Sequence, residues 1–422
     1  MGCGNVGAAV FRMLSDHSEE IAGRAGAAVV VRRVAVRVPS KPRPVALPAG
    51  VVTTDAQNVV EDPAVDVVVE VIGGVEPARS LILAAFAAGK PVVTANKELL
   101  STRGKELFAA AAKAGVELLY EASVGGGIPL IRPLRDHLAG DRIVRFMGIV
   151  NGTTNYVLTR MTEEGLSMED ALAEARAHGF AEADPTADVE GFDAAAKAAI
   201  LATIAFDLPV SAGDVYREGI GRVTASDIGF AHRLGYVVKL LAIAEAVNGS
   251  VSVRVHPAMV PKEHPLASVR ESFNAVFVEG ERVGPLMLYG RGAGGDPTAT
   301  SVVGDILELA RGSLTPAGRQ APDTKGDDGR RLRPIGELFA QYYLLMRVAD
   351  RPGVLAAIAG VFAEHGVSIR SVWQEGHDDE AQIVLITHRA REDALQACVR
   401  ELDRLDVVEE VSSVIRVETG EP

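Results

Sequence analysis

Cysteine is nearly absent: Cys3 and Cys398 stand at opposite ends of a 422-residue chain. They match no metal-ligand spacing, which excludes a disulfide framework and a thiolate zinc site and leaves Cys3 as a small apolar residue in a turn. Tryptophan occurs once, as Trp373, and is expected in a core. No apolar run reaches the roughly eighteen residues of a membrane span. No charged start precedes an apolar stretch as in a secretory signal, so the chain is expected in the cytoplasm. Nor is there an excess of positive charge. The formal net charge is −13, which argues against a nucleic-acid partner. The run Arg32, Arg33, Arg37, Lys41, Arg43 is a local exception, and its plain reading is a solvated edge.

What remains is a hydrophobic fraction of 48% beside 23% charged residues, the balance of a globular protein. The length allows about two to three domains. Apolar β-branched runs at 28–36, 65–72, 91–94 and 116–120 alternate with helical patterns at 78–88 and 104–114. That rhythm predicts an α/β fold with a doubly wound dinucleotide-binding sheet over 1–128. The chain opens on Gly2-Cys3-Gly4-Asn5-Val6-Gly7, a G-x-G-x-x-G turn running into a helix. In that fold such glycines allow a tight turn, close approach of the pyrophosphate and close helix packing. Gly2, Gly4, Asn5, Val6 and Gly7 are therefore candidate cofactor residues. The motif ordinarily follows a strand, and here that first strand is missing. Either the start is assigned at an internal methionine, which is the expectation, or the sheet has lost its first strand. At the end of the second strand Val36-Arg37-Val38 offers an arginine where an acidic residue would suit NAD. Arg37 fits a 2′-phosphate and hence NADP, with NAD still possible, and could equally be a solvated strand end.

The densest cluster of charge is Gly179–Lys197, GFAEADPTADVEGFDAAAK. Asp193 and Lys197 are an i, i+4 pair on an alanine-rich helix, with Cβ atoms roughly 5–6 Å apart. A lysine held in that way can pass a proton to an oxygen. Taken alone, the stretch reads as a solvated loop and an exposed helix. Its full spacing, from Ala175 through Gly179-Phe180-Ala181, Asp184-Pro185, Asp188-Val189, Gly191 and Asp193 to Lys197, resembles the signature of homoserine dehydrogenase.

The resemblance implies hydride transfer between a nicotinamide cofactor and the side-chain carbon of L-aspartate 4-semialdehyde, with L-homoserine as the reduced partner, in threonine, methionine and isoleucine biosynthesis. It makes Lys197 the proton donor. Asp193 positions Lys197 and, with Glu182, holds the substrate ammonium, while Asp184 and Asp188 have turn or capping roles. Thr94 and Lys97, in Thr94-Ala95-Asn96-Lys97, become pocket residues, and the Asn151-Gly152-Thr153-Thr154-Asn155-Tyr156 segment lines the substrate pocket. Gly179, and Gly292 in a glycine-rich turn at 288–298, join the cofactor set. The helix after that turn, about 296–312, packs back on the amino-terminal sheet and completes the first domain.

Around Gly125-Gly126-Gly127, bare backbone suits a close nicotinamide, a hard cation or a flexible connection. The resemblance implies a monovalent cation, sodium, held by Glu121 and the carbonyls of Val124, Gly126 and Ile128.

An α+β catalytic and dimerisation region is expected over 129–295, and a linker over 313–340, where Gly, Pro and charged residues dominate. Beyond it, 341–418 reads as a ferredoxin-like βαββαβ unit. Arg351-Pro352-Gly353 ahead of a hydrophobic helix resembles an ACT domain. Such domains pair across subunits and bind amino acids. Threonine is the implied effector, around Asp350, Gly353 and Leu355, in a homodimer or homotetramer. With no kinase region ahead of these motifs, a monofunctional enzyme is expected. Two alternatives stand beside it: another nicotinamide-dependent amino-acid or semialdehyde dehydrogenase, and a catalytically impaired amino-acid-sensing protein.

Overall fold

A computed structural model describes residues 1–314, 331–377 and 380–418. They fall into two compact units, each discontinuous in sequence: 1–145, 195–215 and 274–314 in the first, and 146–194, 216–273 and 331–418 in the second.

In the first unit, Val68–Glu70, Val92–Thr94 and Leu118–Leu119 form a parallel sheet, and Val34–Ala35 pairs in parallel with Val52–Thr53. Met1 and Gly2 lie between these two sheets. The Met1 amine donates to Val69 O, the Val71 amide donates to Met1 O at 3.0 Å, and the Gly2 amide donates to Ala35 O at 2.9 Å. The strand expected at 28–36 shrinks to Val34–Ala35, because only Val34 and Val36 donate to carbonyls of the neighbouring 51–53 segment, and Val30 is left 76% exposed. The helix expected from residue 104 begins at Lys97, since the Asn96 side chain caps it by accepting from the Leu99 amide at 3.1 Å.

The core of this unit joins Ala9, Val10 and Leu14 of the helix Asn5–Asp16 to Val302, Val303 and Ile306 of the helix Gly295–Leu314, with Val93 and Leu119 beneath. A helix from late in the sequence thus packs against the amino-terminal sheet and its first helix. The expected boundary at 128/129 falls inside the first compact unit, which runs on to residue 145. Arg132 and Arg135 bind Asp305 and Glu308, which keeps residues 129–145 in the first unit.

In the second unit, Asn151 caps the helix Gly152–Glu164 by accepting from the Thr154 amide at 2.9 Å. Strands Tyr236–Val247 and Ser250–Pro261 form an antiparallel hairpin, closed by Asn248 and Gly249 at φ 50° and 74°. Asn-Gly is the pair that tolerates this left-handed turn. The predicted βαββαβ pattern follows, as Phe339–Ala349, Val354–Glu364, Ile369–His377, Glu380–Thr387, Glu392–Leu402 and Val408–Val417. Its first strand lies between the fourth and third, and the second is at the outer edge. The fourth pairs in parallel with Ser250–Pro261, Arg416 opposite Ala258 and Val417 opposite Met259. The carboxyl-terminal sheet therefore continues that of the hairpin.

Of the expected linker, 315–330 lies outside the described residues. Arg331–Leu332 pairs with Ser250 and Val251, so that part is ordered strand. Trp373, expected in a core, is 41% exposed on the edge strand. Among the described residues, no helix is long and apolar enough to cross a membrane.

Candidate active site

The three glycines of the amino-terminal turn are needed for different reasons. Gly2 has φ +89°, and a Cβ there would lie 2.6 Å from Val71 O. A Cβ on Gly7 would lie 2.4 Å from Gly2 O, so this glycine lets the helix sit on the turn. A Cβ on Gly4 meets nothing within 4 Å, which leaves open the side where a pyrophosphate approaches. Gly4 is also the N-cap of the helix that starts at Asn5, and no side chain caps it. The first amides of that helix, including those of Asn5 and Val6, are thus free of a capping side chain and suited to an anion. Arg37 is exposed just past the short strand Val34–Ala35, in a loop closed by Arg43, whose guanidinium donates to the carbonyls of Val38, Pro39 and Lys41.

Thr94 is fully buried at the end of its strand and donates to Glu70 Oε2 at 2.6 Å. Glu70, missed by the sequence reading, is 0% exposed, and its other oxygen accepts from the amides of Ile72 (2.7 Å) and Gly73 (3.2 Å). The Asn96 amide nitrogen Nδ2 donates to Gly74 O at 2.7 Å. Thr94 and Asn96 therefore shape the loop after the neighbouring strand, and Lys97, half-buried, opens the following helix. The signal for Glu70 is a lone carboxylate at the end of an apolar strand and just before Gly73-Gly74.

Glu121 also has a task within the fold. Its carboxylate, 4% exposed, accepts from the amides of Leu130 (2.6 Å), Ile131 (2.8 Å) and Arg132 (2.8 Å). Both oxygens are thus committed to a helix start, where the backbone amides are otherwise unsatisfied. Asp305, also unforeseen, accepts from the Glu121 amide at 2.9 Å and from Arg132 at 2.5 Å. Burial pushes its carboxyl up to about 7 against the pull of the Arg132 guanidinium.

The Gly126 carbonyl accepts from Ser301 Oγ at 2.6 Å. Gly126 and Gly292 meet each other: a Cβ on Gly126 would lie 2.7 Å from Gly292 O, and one on Gly292 1.9 Å from Asn274 Nδ2. The close approach that demands glycine at 292 is therefore protein against protein. Gly179 likewise has a local cause. It ends the helix Met168–Ala177 at φ +74°, and the Phe180 amide donates back to Ala175 O at 2.8 Å.

The substrate stretch is organised by Asn151. Its Nδ2 donates to Asp188 Oδ1 at 2.6 Å and to Asp193 Oδ2 at 2.9 Å, while Thr153 Oγ1 lies 2.9 Å from Asp188 Oδ2 and 2.6 Å from Phe180 O. Asp188 is thereby tied to the Asn151 segment. Asp184 closes a turn on Thr186, whose amide and hydroxyl hold its carboxyl below the usual range. Glu182 is exposed and has no hydrogen-bond partner among the described residues. Phe180 packs 5.0 Å from the Tyr156 ring, and Tyr156 OH donates to Glu174 at 2.7 Å, which holds the loop to its helix. Asp193 and Lys197 stand one turn apart on the helix Phe192–Phe206, and Lys197 is 8% exposed.

Among the described residues no group of three or more His, Cys, Asp or Glu side chains could hold a metal ion. In the carboxyl-terminal unit, Gly353 has φ +93° at the N-cap of the helix Val354–Glu364, Asp350 is exposed, and Leu355 is 41% exposed.

Three family models match the chain: "Homoserine dehydrogenase, NAD binding domain" over 2–121, "Homoserine dehydrogenase" over 129–307 and "ACT domain" over 342–407. Homoserine dehydrogenase of Mycobacterium tuberculosis is 52% identical over 429 residues, covering 99% of this chain and 96% of that one. The enzyme of Corynebacterium glutamicum is 48% identical over 423 residues, covering 99% and 94%. The crystal structure of a homoserine dehydrogenase from Thiobacillus denitrificans superimposes with a TM-score of 0.93 at 40% identity, covering 99% of this chain and 96% of that one. With such likeness running through the glycine turn, the Asn151–Lys197 region and the ACT unit alike, the chain belongs to the homoserine dehydrogenase family and is an NAD(P)-dependent oxidoreductase that interconverts L-homoserine and L-aspartate 4-semialdehyde.

Proposed function

We propose that Lys197 manages the proton of this reaction while the Asn151–Asp188–Asp193 group, with Glu182, receives the substrate ammonium. When bound, the nicotinamide supplies the hydride to the aldehyde carbon or takes it back. Lys197 gives a proton to the carbonyl oxygen in reduction and accepts the hydroxyl proton in oxidation. The observation that carries the reading is the placement of a buried lysine one helical turn past Asp193, whose carboxylate Asn151 bridges to Asp188. Glu182, exposed and unpaired among the described residues, is available to an ammonium. Replacement of Lys197 by alanine tests the assignment through kcat. The product feeds threonine, methionine and isoleucine synthesis in the same reading.

NADP is the preferred cofactor in this proposal. Support comes from Arg37, exposed at the strand end within a loop that also carries Lys41 and Arg43. One charge-assisted contact of roughly 1.5–3 kcal/mol corresponds to about a tenfold or larger preference. Arg37→Ala lowers the ratio of kcat/KM for NADP over NAD by about that factor. A native enzyme that prefers NAD removes the idea.

Sodium, in the same proposal, is held near Gly125-Gly126-Gly127 by the Glu121 carboxylate, which also accepts from three amides, and by the main-chain oxygens of Val124, Gly126 and Ile128. Gly125 and Gly126, at φ 74° and 55°, give the loop the tight path that such carbonyl ligation needs. Thr94, Lys97, Gly2, Gly4, Gly7, Gly179 and Gly292 face the cofactor in the same proposal, the last two with packing requirements of their own.

The ACT unit binds L-threonine near Asp350, Gly353 and Leu355, and the subunits assemble as a homodimer or homotetramer. The positive φ of Gly353 at a helix start, and the exposure of Val372 (38%) and Trp373 (41%) on the outer strand, support a ligand turn and a paired edge. Millimolar L-threonine lowers the rate or shifts the sedimentation coefficient. No change in either removes the effector role.

A further inference from the structure

Charged groups that the reaction does not use gather at one buried point of the second unit. Arg416, on the last strand of the ACT unit, is 3% exposed. Its guanidinium donates to Glu392 from Nε (2.9 Å) and Nη2 (2.7 Å), and to Glu218 from Nη1 (3.0 Å) and Nη2 (3.2 Å). Tyr216 OH lies 3.3 Å from Nη2 and donates to Glu218. Glu392 also accepts from Tyr342 OH at 2.7 Å. Glu392 and Tyr342 belong to the ACT unit, whereas Tyr216 and Glu218 belong to a short segment around the strand Tyr216–Arg217. One guanidinium therefore joins the two.

That segment also touches the substrate loop. The Arg217 guanidinium lies 3.5 Å from the centroid of the Phe192 ring and donates to the Glu190 carbonyl. The Ile220 amide donates to Val189 O at 2.8 Å. At Gly219 a Cβ would lie 2.3 Å from Val189 O and 2.6 Å from Glu190 Cα, so the two backbones are in direct contact. Val189–Phe192 is the stretch between Asp188 and Asp193. Buried Val215 and Ile220 hold the segment on either side, while its backbone pairing is short. Its strand pairs only Tyr216 with Arg254 and Arg217 with Val255, and the Glu218 amide adds one bond to Val255 O. So short a strand depends on its side-chain anchors, and at Tyr216 and Glu218 those are the contacts with Arg416.

We propose that Arg416, acting through Glu218, is a positioning residue for the substrate loop: the ACT unit holds Asp188 and Asp193 in the geometry that receives homoserine. The inference rests on the reading of that loop as the substrate site. If the network served stability alone, loosening it would lower the melting temperature and the active fraction without changing KM for one substrate only.

The test uses the full-length enzyme with Glu218→Gln, Arg416→Lys and the double variant, beside Asp193→Asn. Glu218→Gln raises KM for L-homoserine about five- to thirtyfold, the effect of one or two displaced contacts, and leaves KM for the cofactor within about twofold. Arg416→Lys, which keeps the charge and loses the fork, shifts the same constant less. The double variant is no worse than the worse single one, because both changes break one link. An unchanged KM for L-homoserine in Glu218→Gln, or additive effects in the double variant, overturns the inference. If Asp193→Asn changes KM while Glu218→Gln does not, the substrate loop stands and only its anchoring falls. If Asp193→Asn changes neither KM nor kcat, the loop reading fails and takes this inference with it. Should Glu218→Gln fold poorly, Tyr216→Phe is measured instead: a smaller rise in the same KM supports the link, and none overturns it.

Discussion

Lys197→Ala lowers kcat for L-homoserine oxidation by about 10²- to 10⁴-fold, the usual contribution of a positioned general acid or base. The hydride is unaffected by the change, since it belongs to the cofactor. What is lost is a buried group, 8% exposed, to which the proposal gives the hydroxyl proton as the carbonyl forms. Asp188, Asp193 and Asn151 keep their hydrogen bonds, so KM for homoserine stays within about threefold, as expected when only the chemical step loses its catalyst. Lys197→Arg separates two roles. Arginine restores the charge and cannot give up its proton at working pH, so it leaves kcat low if proton transfer is the task. Recovery of most of the rate by arginine would reduce Lys197 to an electrostatic role. A rate for Lys197→Ala within about tenfold of the native value would remove it from the mechanism altogether.

Glu121→Ala destabilises the first unit by about 3–5 kcal/mol, because it strips a buried carboxylate from several donors at once. The amides of Leu130, Ile131 and Arg132 lose their acceptor, at 2.6, 2.8 and 2.8 Å, in a place that water does not reach. Arg132 keeps Asp305, so its charge is not orphaned. Glu121→Gln retains one acceptor oxygen and costs less, about 1–3 kcal/mol. Denaturant unfolding followed by a probe in the first unit reads both, since a chain of several units has no single midpoint.

These outcomes separate what is local from what is not. The glycine turn, the Asp193–Lys197 spacing and the βαββαβ pattern are legible in the chain because each depends on residues within a few positions of one another. A glycine where φ is positive, an i, i+4 pair and an alternating apolar strand state their own requirements. The strand expected at 28–36 failed for the opposite reason: a β-ladder needs a partner, and only Val34 and Val36 donate to one. The amides that satisfy Glu121 were hidden for the same reason: they begin nine residues later and matter only once the chain turns back.

Gly179 and Gly292 show how one residue type can have two readings. The family resemblance placed them at the cofactor, and φ +74° at a helix end and the packing of Asn274 against Gly292 give each a requirement within the protein. Glu70, Asp305 and Arg416 had no local signal strong enough to single them out, because a buried charge is defined by what surrounds it.

By itself the sequence determined the family and the reaction, and it singled out Lys197 and Asp193 as candidates, since an i, i+4 pair on one helix is a local feature. Only the tertiary structure decided which carboxylates are structural, which glycines are needed for packing, and that the ACT sheet continues the hairpin with Arg416 reaching Glu218. Those facts depend on contacts between residues as many as 198 positions apart, which no periodicity records.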